Sequence, residues 1–247
     1  MKYEMIYDLH THTTYSHGEG SVEDNVRVAV NKGLDFVAIT DHGPGHLFYG
    51  VKRKNFPKMK EDIDKMNVKF PKIDVKYSVE ANTVHGGNGL DVSPEETKQF
   101  DFIIAGFHFG LFGCSSVRNW LWSHGFKAGE ESLRKKNTKM IVNALRQNDI
   151  AILTHPGDKG PFDLVEIAKV CAETDTLMEI NGKHGHLTEK EIALVAQNPD
   201  VKFIIGSDAH VPDAVGTFEA SLQRAFAAGL DISRIVNIRE IGEEQDD

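Results

Sequence analysis

The sequence is poor in cysteine, has no long apolar run and carries no excess of positive charge, and each deficit removes a class of protein. Two cysteines, Cys114 and Cys171, in 247 residues give neither a disulfide framework nor a cysteine-built zinc module. No window reaches the roughly 18 consecutive apolar residues that a membrane-spanning helix needs. The opening stretch, MKYEMIYDLHTHTTYS, turns polar within a few residues and lacks the apolar centre of a secretory signal, so a cytoplasmic location is expected. With 28 Lys and Arg against 37 Asp and Glu, the formal charge is -9, which counts against a broad basic surface for nucleic acid.

The remaining composition, 40% hydrophobic and 26% charged, is that of a globular enzyme, and the length suits a single domain over residues 1–247. Short apolar runs at 5–10, 36–40, 75–80, 102–107, 150–155, 176–181 and 202–207 read as strands. Amphipathic stretches at 21–32, 57–67, 130–148, 163–174, 188–197 and 213–229 read as helices, with capping boxes expected at Ser21/Asp24 and Thr188/Glu191. Alternating strands and helices predict a parallel sheet covered by helices, closed or nearly closed into a barrel. After Ile235 no clear final helix is visible. Residues 110–129 read as a long loop, holding Phe112, Arg118, Trp120, Trp122, Phe126 and Lys127 among glycines and serines.

Twelve histidines are many for this length, and their places matter more than their number. The residues at or just past the predicted strand ends are His10 and His12, Asp41 and His42, Glu80, His108, His155, Glu179 and Asn181, and Asp208 and His210. Active sites of parallel α/β folds assemble at that edge, because the loops leading into the helices project there. In extended chain residues i and i+2 point the same way, so His10/His12 and Asp208/His210 can each aim two side chains into one cavity. Imidazole and carboxylate without thiolate suit a catalytic zinc, manganese or iron site. Glu80, ending a strand with no adjacent histidine, is a candidate to bridge two ions. Glu179 and Asn181 are open between supporting the ligands and packing the barrel. His46, His85, His124, His184 and His186 fall in loops and are read as surface or substrate-side residues.

The ordered motifs DLHTHTTYSHG, AITDHG, VEAN, AGFH, ILTHPG and GSDAH resemble the PHP (polymerase and histidinol phosphatase) superfamily over nearly the whole chain, with a particular likeness to the bacterial YcdX-type phosphatases. The resemblance implies a distorted (β/α)7 barrel with three divalent metal ions, zinc or manganese with iron as a further option. It implies His10, His12, Asp208 and Glu80 around the first ion, Glu80, His108 and His155 around the second, and His17, His42 and His210 around the third. The implied activity is hydrolysis of small-molecule phosphate monoesters by a metal-activated hydroxide, with Asp208 or Asp41 relaying protons. Alternatives are a phosphodiesterase or exonuclease, and histidinol phosphatase as a specific substrate reading. A small phosphorylated substrate is the expected partner, nucleic acid and membrane are not expected, and a homo-oligomer is compatible with the sequence. The 110–129 loop is read as a lid, with Arg118 and Lys127 neutralising the substrate phosphate.

Overall fold

The computed structural model describes residues 2–111 and 114–242. Ten strands and eight α-helices follow one another along these residues. The strands are β1 Lys2–Met5, β2 Tyr7–Asp8, β3 Phe36–Ile39, β4 Asp74–Tyr77, β5 Glu80–Asn82, β6 Ile104–Gly106, β7 Ile152–Leu153, β8 Leu177–Asn181, β9 Phe203–Gly206 and β10 Ile238–Ile241. The helices are α1 Val22–Asn31, α2 Phe56–Lys69, α3 Pro94–Thr97, α4 Cys114–Ser123, α5 Glu130–Gln147, α6 Leu164–Glu173, α7 Glu189–Val195 and α8 Glu219–Ala227. Among the described residues no helix is long and apolar enough to cross a membrane.

Both expected capping boxes form: Ser21 accepts from the Asp24 amide and Thr188 from the Glu191 amide, while each acid accepts in return from the cap residue's own amide. Helix-period stripes then bury one face each, as in α2 with Phe56, Met59, Ile63 and Met66.

Two parallel sheets carry the fold, β2-β3-β4 and β5-β6-β7-β8-β9. They are stitched together on one side by a bridge between His42 and Glu80, and on the other by a bridge between Thr11 and Ala209. The run predicted at 75–80 is therefore two strands. Val79 accepts from the Ile104 amide toward β6, whereas Ser78 donates to Ile39 of β3 and Glu80 donates to Asp41.

Along the strands, residues two apart share a face. Ile104, Ile152 and Ile204 form a small apolar layer, flanked by Tyr7, Leu9 and Leu177. Two residues further on, the same face carries Gly106, Thr154, Gly206 and Glu179. One face thus turns from apolar to polar toward the C-terminal ends of the strands, while the opposite face supplies residues such as Ala105, Leu153, Ile180 and Ile205 to the core under the helices.

Three expectations about local structure are corrected. The run 5–10 is not one strand, because Lys2–Met5 leaves to pair antiparallel with Ile238–Ile241, a strand in the C-terminal stretch where only the lack of a helix was foreseen. The stretch 213–229 is broken: a 3-10 turn at Pro212–Ala214 precedes Gly216, which has φ 71 and donates to Asp8, and α8 begins only at Glu219. Much of 110–129 is not loop, since α4 occupies Cys114–Ser123. It is pinned to α5 by a buried reciprocal amide pair, Asn119 with Asn137, at 3.1 and 2.7 Å. Phe112 and Gly113 lie outside the described residues.

Candidate metal centre

At the C-terminal strand ends, nine predicted residues converge. His10 and His12 leave β2 side by side, their Nε2 atoms 3.1 Å apart, and Asp208 Oδ1 lies 3.6 and 3.2 Å from them. Glu80 sits at the junction of the two sheets. Its Oε1 is 2.9 Å from His155 Nε2, 3.3 Å from His108 Nε2 and 3.4 Å from His10 Nε2; its Oε2 is 2.8 Å from His42 Nδ1. His210 Nδ1 is 3.3 Å from Asp208 Oδ1. His17 stacks on His42 at 4.8 Å between ring centres and packs edge-on to His210 at 4.2 Å.

Three groups of potential ligand atoms result: His10, His12 and Asp208; His42, Glu80 and His108; and His12, His42 and His210. The first holds three of the four residues implied for the first ion, without Glu80. The second and third draw in His42 and His12 where the resemblance had implied His155 and His17, because ligand atoms from neighbouring strands lie within reach of more than one group.

These atoms are mostly not spent on hydrogen bonds. Glu80 Oε2, His42 Nδ1, His210 Nε2 and both ring nitrogens of His108 are buried without a hydrogen-bond partner. The close pair between His42 Nδ1 and Glu80 Oε2 lacks hydrogen-bond alignment. Leaving so many buried polar atoms unpaired costs about 1–3 kcal/mol each, unless a cation takes up the lone pairs. The residues present fit such a group.

Electrostatics agree. Burial holds the imidazoles of His12, His108 and His155 below their usual range, and brings His17 down to about 3 and His210 to about 4, so their lone pairs are free at neutral pH. Burial pushes the carboxyls of Glu80 and Asp208 up. The surrounding imidazoles, His108 and His10 foremost, outweigh it and hold both well below the carboxylate range. His10 is the exception: burial pulls it down, but Glu179, Glu80 and Asp208 raise it well above a normal histidine. That upward pull marks the negative potential that a divalent ion would neutralise.

The surroundings fix the ligands. Glu179 Oε1 accepts from His10 Nδ1 at 2.7 Å, which leaves Nε2 as the atom turned to the cluster, and Glu179 Oε2 accepts from the His155 amide at 2.7 Å. Asn181 Nδ2 donates to Glu179 at 2.9 Å and to Asp208 at 3.2 Å. Thr154 Oγ1 donates to Glu80 at 2.7 Å. His155 and Asp208 themselves take φ values of 31 and 51, a left-handed backbone uncommon for such residues and often found where side-chain aim is functional. Gly106 and Gly206 were missed in the sequence. A Cβ on Gly106 would lie 2.3 Å from Thr154 Oγ1, and one on Gly206 2.0 Å from Glu179 Oε1, so only glycine lets these side chains cross the strand ends.

Asp41 does not face the cavity. Its buried carboxylate accepts from the amides of Thr13 and Ser16 at 2.8 and 3.1 Å and from their hydroxyls at 2.6 and 2.5 Å, so it braces the turn that presents His17. Arg118 and Lys127 are not brought to it either. Arg118 donates to the Gly129 carbonyl at 3.3 Å, and the Lys127 ammonium lies 3.4 Å over the Trp122 ring and donates to the Trp122 carbonyl. The cations that do line the cavity of about 190 Å³ are Lys159 and Lys183, joined by His46 and His184 from the loops. Both lysines lie a few residues past a strand-end motif, after ILTHPG and after Asn181, and scanning those loops for basic residues would have found them.

Residues 8–210 match the PHP domain family. The chain belongs to this family. Probable phosphatases from Thermoanaerobacter pseudethanolicus and Shewanella piezotolerans are 29% and 26% identical to this PHP chain, each over 95% of it and over 91% and 90% of their own lengths. Among solved structures, the histidinol phosphate phosphatase of Lactococcus lactis, complexed with zinc, L-histidinol and phosphate, has a TM-score of 0.61 at 16% identity, covering 92% of this chain and 95% of that one. A putative histidinol phosphatase from Listeria monocytogenes has a TM-score of 0.64 at 16% identity, covering 85% and 97%. At that identity the likeness is one of fold, and it shows the PHP chain to be a mixed α/β protein built on parallel sheets.

Proposed function

We propose that this PHP protein is a metal-dependent phosphatase that hydrolyses phosphate monoesters of small molecules at a cluster of three divalent cations. The seven strand positions, β4 and β5 counted together, are read as one distorted (β/α)7 barrel with the site at its C-terminal end. The observation that carries the reading is the convergence of buried, unpartnered imidazole and carboxylate atoms around Glu80 and Asp208 into three overlapping groups. The names of the similar proteins of matching length support phosphoryl chemistry.

Oxygen and nitrogen donors without thiolate suit zinc, manganese or iron, and such ions supply an acidified water together with neutralisation of phosphoryl charge. The chain does the positioning. Glu80 and Asp208 provide the negative charge that gathers cations, and Glu179 and Asn181 hold His10 and Asp208 in the ligating orientation. Asp208 also lies 3.3 Å from His184 Nε2, which connects the ligand cluster to the open side of the cavity and gives a path for a proton.

Prolonged chelation, followed by return of zinc or manganese, tests this with p-nitrophenyl phosphate, histidinol phosphate, bis(p-nitrophenyl) phosphate and single-stranded nucleic acid as substrates. Monoester hydrolysis is expected to vanish on chelation and return with metal. Undiminished activity in the metal-free protein, or preference for the diester or nucleic acid, would reject the reading.

A further inference from the structure

Two lysines stand beside a cluster whose chemistry calls for cations, an arrangement that is repulsive unless an anion lies between. Lys159 is largely buried, its side chain 19% exposed, and its backbone has φ 64, uncommon for a residue with a side chain. The ammonium is held 2.6 Å from Asp158 Oδ2. Lys183 is placed by Asn181, whose Oδ1 accepts from the amides of Lys183 and His184 at 2.9 and 2.7 Å. The same Asn181 donates to Asp208. No carboxylate among the described residues pairs with the Lys183 ammonium.

Lys159, from the turn after β7, and Lys183, from the turn after β8, line the same cavity.

We propose that Lys159 and Lys183 together form a clamp for the outer oxygens of a terminal phosphate, and that this clamp selects phosphate monoesters over diesters. The proposal rests on the phosphatase reading and adds to it the residues that set substrate class. A monoester dianion offers three unesterified oxygens, enough to satisfy metal ions and ammonium groups together. A diester offers two and a single negative charge, so it gains less from the added cations. The clamp takes the role that sequence reading had given to Arg118 and Lys127.

The test uses metal-loaded protein with Lys159→Gln, Lys183→Gln, the double variant and Lys183→Arg. Inorganic phosphate binding is followed by calorimetry, beside kcat/KM on p-nitrophenyl phosphate and bis(p-nitrophenyl) phosphate. Each neutral single variant should bind phosphate about 10-fold more weakly and the double variant about 100-fold, the scale expected for charge-assisted hydrogen bonds. Metal content should be unchanged. Monoester efficiency should fall in parallel, mainly through KM, with the diester changed less than about threefold, and Lys183→Arg should retain most of the binding. Unaltered phosphate affinity in the double variant overturns the clamp, as does an equal loss on both esters. Should Lys159→Gln misfold through loss of the Asp158 pair, the Lys183 variants decide alone. Wild-type protein that binds phosphate through both lysines yet cleaves no monoester would refute the phosphatase reading and leave the clamp standing.

Discussion

Glu80→Gln is expected to abolish activity, with kcat/KM falling at least about 10³-fold, since changes that merely reorient a ligand already cost about 10–100-fold. The carboxylate has imidazoles of His10, His42, His108 and His155 within 3.4 Å, so its charge serves more than one ligand group. Glutamine keeps the shape and can still accept from Thr154, which leaves the fold in place. The metal-loaded wild type should melt at a higher temperature than its chelated form, because binding to the native state alone adds stability. In Glu80→Gln that difference should shrink toward zero. Elemental analysis gives the deciding measurement: wild-type metal content in the variant would remove Glu80 from the centre.

Gly206→Ala should be the most damaging change of a single methyl group. The added Cβ would meet Glu179 Oε1 at 2.0 Å and the His10 Cβ at 3.0 Å. Glu179 cannot retreat and keep its bonds, since it holds His10 Nδ1, the His155 amide and the Asn181 amide group at once. The expected result is a loss of about 1–3 kcal/mol in stability from overpacking, together with metal affinity lower by about 100-fold from disorientation of His10. Denaturation in chelator isolates the first effect and zinc titration the second. Wild-type zinc affinity in this variant would show that the Glu179 to His10 bond does not organise the site.

Both variants probe contacts of different legibility. Glu80 stood out in the sequence because it ends an apolar run, and the i, i+2 pairs His10/His12 and Asp208/His210 follow from strand geometry alone. Gly206 did not stand out. Its significance depends on Glu179, which reaches it from a neighbouring strand whose register, Asn181 opposite Gly206, no local pattern specifies. The same holds for α4: its glycine- and serine-rich surroundings masked a helix whose place is set by the Asn119 and Asn137 pair. Asp41 shows the converse error, since a carboxylate at a strand end looked chemical and is instead occupied by four donors from the turn at 13–16.

The sequence by itself determined the alternation of strands and helices, two helix starts, and the residue types gathered at the strand ends, because each is written within a few consecutive residues. Tertiary structure decided which candidate ligands share a group, that Glu179 orients His10 from 169 residues away, and that Lys159 and Lys183 rather than Arg118 and Lys127 line the cavity. Those choices depend on how neighbouring strands are staggered and how loops turn back at their ends. Stagger and turning follow from packing the whole chain around one core, so no short segment contains them.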